Sequence, residues 1–443
     1  SGGSGTSGDP YQIATTSDLI DLSNTSGDWG QYFEQTSDIT FNSDQTQVDW
    51  DGDGSATWDT EDQKGFSPIG GGNPSFGFTA FAGSYNGQGY KIENIFIDRN
   101  SDHAGLFGYS TGTIKNLSVT NVDVKTNGNY TGCLIGANDG TIDNCYSTGQ
   151  VEGYLRTGGL VGRNYSTIKN SYSNANVIGN DWKTGGLVGW NDGGSISKCY
   201  ATGTASGTSQ VGGLVGSNDG GTVNESYCTG AVEGTLLNQY GVGGFAGLNN
   251  GGTISNCYTR SSATRLSGSS ETNIGGFCGY NKEGTIEYSY STGDVVYDGA
   301  TNPTDKGFVG GETTPTTYND NFWDSDASNQ SSGSAIGAAK LTTTQMNDYN
   351  SFTDESYSLL DNAWDFVTDP NDDSGNDDYW DMDQNETVNN GYPILSWQDG
   401  ADNVLNQPFS GGDGSSSNPY KIATIGDLID LSNNPTHWHN NFI

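Results

Sequence analysis

Apolar residues in this chain come in short strings set off by glycine, asparagine, aspartate and serine, and the strings return at near-constant intervals. The clearest is GLFG at Gly105–Gly108, followed by CLIG, GGLVG three times, GGFAG, GGFCG and GFVG. Their central residues, Leu106, Leu134, Leu160, Leu187, Leu214, Phe245, Phe277 and Phe308, are separated by 28, 26, 27, 27, 31, 32 and 31 positions. A second string, G-T-I-x-N-C/S-Y, follows most copies, as at Thr141–Tyr146, Thr167–Tyr172, Thr253–Tyr258 and Thr285–Tyr290. A third, T-G-x-V-x-G, comes next, as at Thr148–Gly153 and Thr229–Gly234. Short β-branched or apolar runs between turn formers are strands, and a fixed period near 30 marks stacked coils.

Three strings per period predict an all-β fold, a parallel β-helix in the form of a three-sided β-solenoid of about ten coils with short capping helices at the ends. Helical repeats are excluded because glycine every few residues costs about 1 kcal/mol each in a helix interior and no 3.6-residue period is present. Propeller blades need four strands and about 40 residues, more than each unit supplies. In a solenoid like stacks on like. The Leu and Phe of the G-L-V-G strings should form one interior ladder, and Ile114, Ile142, Ile168, Ile196, Val223, Ile254 and Ile286 another. Tyr146, Tyr172, Tyr200, Tyr227, Tyr258 and Tyr290, followed by Phe322, align with Ser118, which lies between Leu117 and Val119 in the first coil. Strand alternation therefore turns the tyrosines outward, as an exposed aromatic ladder.

The flanks close the stack. Thr16–Leu22 reads as a short capped amphipathic helix, and Phe66–Asp98 as one or two leading coils. Leu341–Met346 begins another helix, and Tyr392–Trp397 is a closing strand. The plan is an N-terminal cap over 1–40, leading coils with an acidic loop over 41–100, the repeat solenoid over 101–324 and a C-terminal capping segment over 325–397. A linker over 398–414 and the start of a further module over 415–443 complete it. The last two follow from a duplication: Ser1–Asn24 returns as Ser410–Asn433 at an offset of 409, and Trp29 and Phe33 return as Trp438 and Phe442. A tandem array is the simplest account, so the parent protein is expected to be longer, with any export signal or anchor outside this sequence.

Composition sharpens the picture. Only 31% of residues are hydrophobic and 68 are glycine, statistics that resemble a disordered chain until the regular spacing is seen. The 53 acidic against 16 basic residues give a net charge of −37, which repels nucleic acid and anionic lipid and favours divalent cations or a salty medium. No stretch is long and apolar enough to insert into a membrane. The six cysteines have no C-x-x-C spacing, and Cys145, Cys199 and Cys257 fall two coils apart in one column, too far for a disulfide. They read as small buried hydrophobes.

Candidate chemistry is sparse. Asp49, Asp51, Asp53 and Ser55 follow the D-x-D-x-D-G start of a calcium loop, with Asp59 and Glu61 standing in where a bidentate Glu would be. Asp369, Asn371 and Asp373 form a looser second metal candidate within an acidic run, which is ordinarily a solvated loop. N-glycosylation sequons occur at Asn24, Asn129, Asn329 and Asn385, while those at Asn116, Asn164 and Asn224 belong to the repeat strings or their turns. A polysaccharide lyase would need carboxylates grouped with basic residues. Lys115, Arg156, Arg163, Lys169, Lys183 and Lys198 look scattered, and His103 is the single histidine in the repeat region.

The GLVG and GTIxNCY strings, with NPYxIAT-x-x-DLIDLS, FWDSD, LTTTQM and GYPILSWQ around them, resemble the GLUG-motif repeats of large bacterial and archaeal surface proteins. The resemblance covers nearly the whole chain. It implies an extracellular role at the cell surface, as an adhesin or a matrix or filament component. The duplication adds a module joined head to tail with copies of itself, the tyrosine ladder an adhesin that stacks surface glycans, and the sparse acid and base groups a non-enzymatic role.

Overall fold

The structure is a computed structural model that describes residues 2–50, 52, 62–71, 77, 79–235, 241–266, 273–297, 305–331, 335–354, 360–366, 379–382 and 388–398. The described residues divide into two compact units, one running to Asp365 and the other beginning at Phe366.

The first unit is a parallel β-solenoid with three faces, one for each recurring string. On the GTI face Tyr11, Phe33, Tyr85, Ile114, Ile142, Ile168, Ile196, Val223, Ile254, Ile286 and Tyr318 lie in register in successive parallel strands, which makes eleven rungs. The G-L-V-G strings form an eight-stranded parallel sheet. The third face carries Ile97, Val124, Val151, Val177, Ala205, Val232, Ala263 and Val295 in register.

Both predicted interior ladders are present. Leu160, Leu187 and Leu214 are fully buried, and each backbone N–H donates to the carbonyl one coil further on, at 3.0, 3.0 and 2.9 Å. Phe245, Phe277 and Phe308 continue the column with rings stacked at 4.8 Å. Burial of one such side chain is worth about 2 kcal/mol, so repetition supplies a core that composition alone does not foretell. The closing glycine of each string is required by packing. A Cβ at Gly162, Gly189 or Gly216 would stand 2.4, 2.6 or 2.6 Å from the backbone of the corner one coil back, at Tyr130–Thr131, Arg156–Thr157 or Lys183–Thr184.

All six cysteines are free and buried. The column after the GTI face alternates Cys and Ser, and the Cys145, Cys199 and Cys257 amides donate to Ser171, Ser226 and Ser289 Oγ at 3.0, 3.1 and 3.1 Å. Burial pushes the Cys145, Cys199, Cys228 and Cys278 thiols up to about 12, which leaves no thiolate at neutral pH.

At the leading end a helix spans Thr16–Asn24 and is held by a capping box: Thr15 Oγ1 accepts from the Asp18 amide, and the Asp18 carboxylate accepts from the Thr15 amide. Its buried Leu19, Ile20 and Leu22 join the cluster of Ile13 and Phe33. At the other end Thr342 and Gln345 make a second capping box for Thr343–Met346. Asp324 of the FWDSD string accepts from the Asp326 and Ala327 amides and from Thr343 Oγ1, so this string and LTTTQM form one clip. The predicted closing strand is present as Pro393–Leu395. It pairs antiparallel with Trp380–Met382 in the second unit.

Candidate binding surfaces

The tyrosines stack as one ladder on the outer side of the coil. Rings of Tyr146, Tyr172, Tyr200, Tyr227, Tyr258 and Tyr290 follow at 4.7, 4.4, 4.9, 5.0 and 5.1 Å with interplanar angles of 11° or less. The exposure differs from expectation. Tyr146, Tyr172, Tyr200 and Tyr227 are half-buried, whereas Tyr258 and Tyr290 are buried. The reason is the segment after the last coil, which lays Trp364 5.7 Å from Phe322 and 6.3 Å from Tyr290, with Phe352 against both Phe322 and Trp364. Within the ladder the ring faces are turned to one another. Burial raises the Tyr172 phenol to about 12.

Of the first calcium candidate, Asp49 is described, and its carboxylate accepts from the Gly52 amide at 2.7 Å. It lines a groove with Thr16, Ser17, Asp21 and Thr40. Asp51, Asp53, Ser55, Asp59 and Glu61 lie outside the described residues, as do Asp369, Asn371, Asp373 and the sequon Asn385. Among the described residues no three His, Cys, Asp or Glu side chains group as metal ligands. Asn24 ends the first helix. Asn129 accepts no role in the core but donates to Asp102 at 3.0 Å, and Asn329 donates to Asp294 at 2.8 Å.

Asn164 belongs to a column that the sequence reading passed over. Asn138, Asn164, Asn191, Asn218, Asn249 and Asn281 are fully buried, and each side-chain amide donates to the next carbonyl at 2.8, 2.8, 2.8, 3.0 and 3.0 Å. Buried amides persist because each is satisfied by its copy in the next coil, and the last, Asn281, by the Gly284 carbonyl. The signal was the Asn that recurs four residues after the central Leu or Phe of the G-L-V-G string.

Of the basic residues that look scattered along the chain, Arg156, Arg163 and Lys183 are gathered by the coil, while Lys169 and Lys198 pair elsewhere with Asp143 and Glu225. His103, Tyr130, Arg156, Lys183 and Gln210 occupy one corner in successive coils, all left-handed, with φ of 62°, 65°, 59°, 70° and 54°. Trp190 stands beside them. The Arg163 guanidinium lies 3.8 Å from the indole centroid, Lys183 Nζ 3.9 Å and the Arg156 guanidinium 4.9 Å. Arg156 and Arg163 also face Tyr130, at 5.1 and 5.4 Å, and His103 stacks on it at 5.0 Å. Asp192 pairs with Arg163, and Asp219 with Lys183 at 2.6 Å. Burial lowers the Lys183 ammonium, and Asp219 opposes that shift. Burial likewise lowers His103.

The repeat geometry can now be set beside known proteins. The GLUG motif matches residues 153–178, 182–206 and 270–296. These are GLUG repeats. Halomucin of Haloquadratum walsbyi is 35% identical over 159 residues of the GLUG chain, and the "Putative Gly-rich membrane protein" of Evansella cellulosilytica is 33% identical over 148. The matches take in 35% and 32% of this chain but only 2% and 15% of those proteins. Among solved structures, a "putative immunoglobulin A1 protease" from Bacteroides ovatus aligns over 89% of this chain and 94% of its own, with a TM-score of 0.47 and 21% identity. Among the described residues no helix is long and apolar enough to cross a membrane.

Proposed function

We propose that this GLUG-repeat solenoid is a non-enzymatic, length-giving module of a fibre or matrix at the cell surface. The observation that carries the reading is the eleven-rung ladder, in which equivalent apolar residues, Ile or Val in the central coils, repeat with no change of register on the GTI face. At the strand spacing that ladder runs for about 50 Å. The internal duplication at an offset of 409 supports modules that follow head to tail, as does a relative of which this chain matches 2%. Copies of the chain are then its first partners. The loop around Asp49 is proposed to hold calcium at the leading end, where the ion would offset part of the net charge.

Intact material examined by mass measurement and low-resolution imaging tests the reading. A polypeptide many times 46.7 kDa that forms continuous fibres is the expected outcome. A mass close to that value overturns the tandem arrangement, and compact monomeric particles overturn the extending role. Glycan stacking on the tyrosine ladder has less support, since the ring faces contact each other. A glycan array in calcium-containing buffer would have to return a binder to revive it.

A further inference from the structure

We infer that the corner built from Arg156, Lys183 and Trp190 is a binding site for acidic polysaccharide, distinct from the tyrosine ladder. Three independent features converge on it. First, among the described residues Arg156 has no carboxylate partner, although the chain carries 53 acidic residues. Its one polar contact is a long bond from Nη1 to Asn129 Oδ1, at 3.4 Å. The neighbouring cations Arg163 and Lys183 are each neutralised by an aspartate, so the Arg156 guanidinium is the charge left to be answered from outside.

Second, the cluster holds two buried donors, Nε of Arg156 and Nε1 of Trp190, that meet no acceptor in the protein. Buried polar groups are otherwise almost always satisfied. Both atoms are enclosed, so they leave unfilled hydrogen-bonding capacity beneath the surface, while the partly exposed end of the Arg156 guanidinium is what an oxygen-rich anion can reach. A planar guanidinium that lies over the Tyr130 and Trp190 rings is held in one plane, which suits it to bidentate recognition of a carboxylate.

Third, the chain approaches the same two corners through exposed rings: Tyr154, two residues before Arg156, is 44% exposed, and Trp182, next to Lys183, is 41% exposed. Exposed rings one or two residues along the chain from a carboxylate receptor match in reverse what a uronic-acid sugar presents, an apolar ring face next to a negative group. Arg156 and Lys183 follow one another at the strand spacing along this corner, with Tyr130 before them, a line of cation and ring that suits a polymer better than a lone anion.

Polygalacturonate serves as the probe and neutral dextran as its control, with binding followed by calorimetry and by sedimentation. The intact protein should bind polygalacturonate and not dextran, at a salt concentration that screens the repulsion between the polymer and the protein's net charge of −37. Arg156→Asn suits the left-handed backbone and should weaken binding by about tenfold; Arg156→Lys keeps the charge, loses the plane and should fall between. Trp182→Ala, at an exposed ring, should weaken it several-fold without moving the thermal midpoint. The inference is overturned if the intact protein fails to bind, if dextran binds equally, or if Arg156→Asn binds like the parent. Shortening of the polymer would replace binding by catalysis. A dimer abolished by Arg156→Asn would make the occupant an acidic face of a second copy. None of these outcomes bears on fibre length, so the site and the structural role fail separately.

Discussion

Two corners of the coil adopt the same backbone conformation and use it differently. At the corner after the GTI face, Asn116, Asn144, Asn170, Lys198, Glu225, Asn256, Tyr288 and Asp320 all have φ between 46° and 53°. Half are asparagine, the side chain that best tolerates this region, and neighbours bond directly: Asn144 donates to Asn116 at 2.8 Å and Asn116 to Asn86 at 3.0 Å. At the corner before the G-L-V-G string the φ values run from 54° to 70°, yet the residues are His103, Tyr130, Arg156, Lys183 and Gln210. Backbone preference explains the first set and not the second. Long cationic and aromatic side chains at strained positions are held there by what they touch, and this contrast locates the chemistry of the solenoid.

The largest effect should come from Gly189→Val, which drives a side chain into the Arg156–Thr157 corner. We expect a loss above about 4 kcal/mol, with no cooperative unfolding transition by circular dichroism. Gly193→Ala, at φ 74° with open space around its Cβ position, should cost only about 1 kcal/mol and provides the control.

Alkali tests the dry interior beneath both corners. Four buried thiols rise from 9.0 to about 12 and Tyr172 from 10.0 to about 12, so the folded state holds these protons after the unfolded chain has released them. Stability contributed by these groups is complete below pH 9 and falls as pH climbs toward 12. A pH series of thermal midpoints should show a steep decline in that window, and a flat profile would contradict the burial.

Asn191→Leu removes the acceptor of Asn164 and the donor to Asn218 from the amide column, and should cost about 2 kcal/mol in chemical denaturation. The smallest change sharpens the comparison most directly. Lys198→Asn relieves the left-handed backbone but gives up the 3.4 Å ion pair with Glu225, so the two should nearly offset and stability should change by less than about 0.5 kcal/mol. Arg156→Asn relieves the same strain at the other corner, but it alone should alter polymer binding.

Much of this was legible from spacing. The G-L-V-G and GTI ladders, both capping helices and the inertness of the cysteines follow from which residues recur and at what interval. Outward tyrosines were legible too, but not the burial of Tyr258 and Tyr290, because Trp364 and Phe352 come from a segment with no repeat to align. The cationic corner left a trace that was not read: Tyr130, Arg156, Lys183 and Gln210 each stand four residues before the central Leu.

The repeat by itself determined the coil, its three faces and its columns, because in a stack each residue's main neighbour is its own counterpart one period away. Only the tertiary structure decided which columns communicate. Arg163 and Trp190 belong to one column and Arg156 and Lys183 to another, and they meet because the closing glycine lets one coil settle against the corner of the coil before it. Contacts between different columns depend on how far the chain turns at each corner, and that angle is set by packing rather than by the spacing of letters.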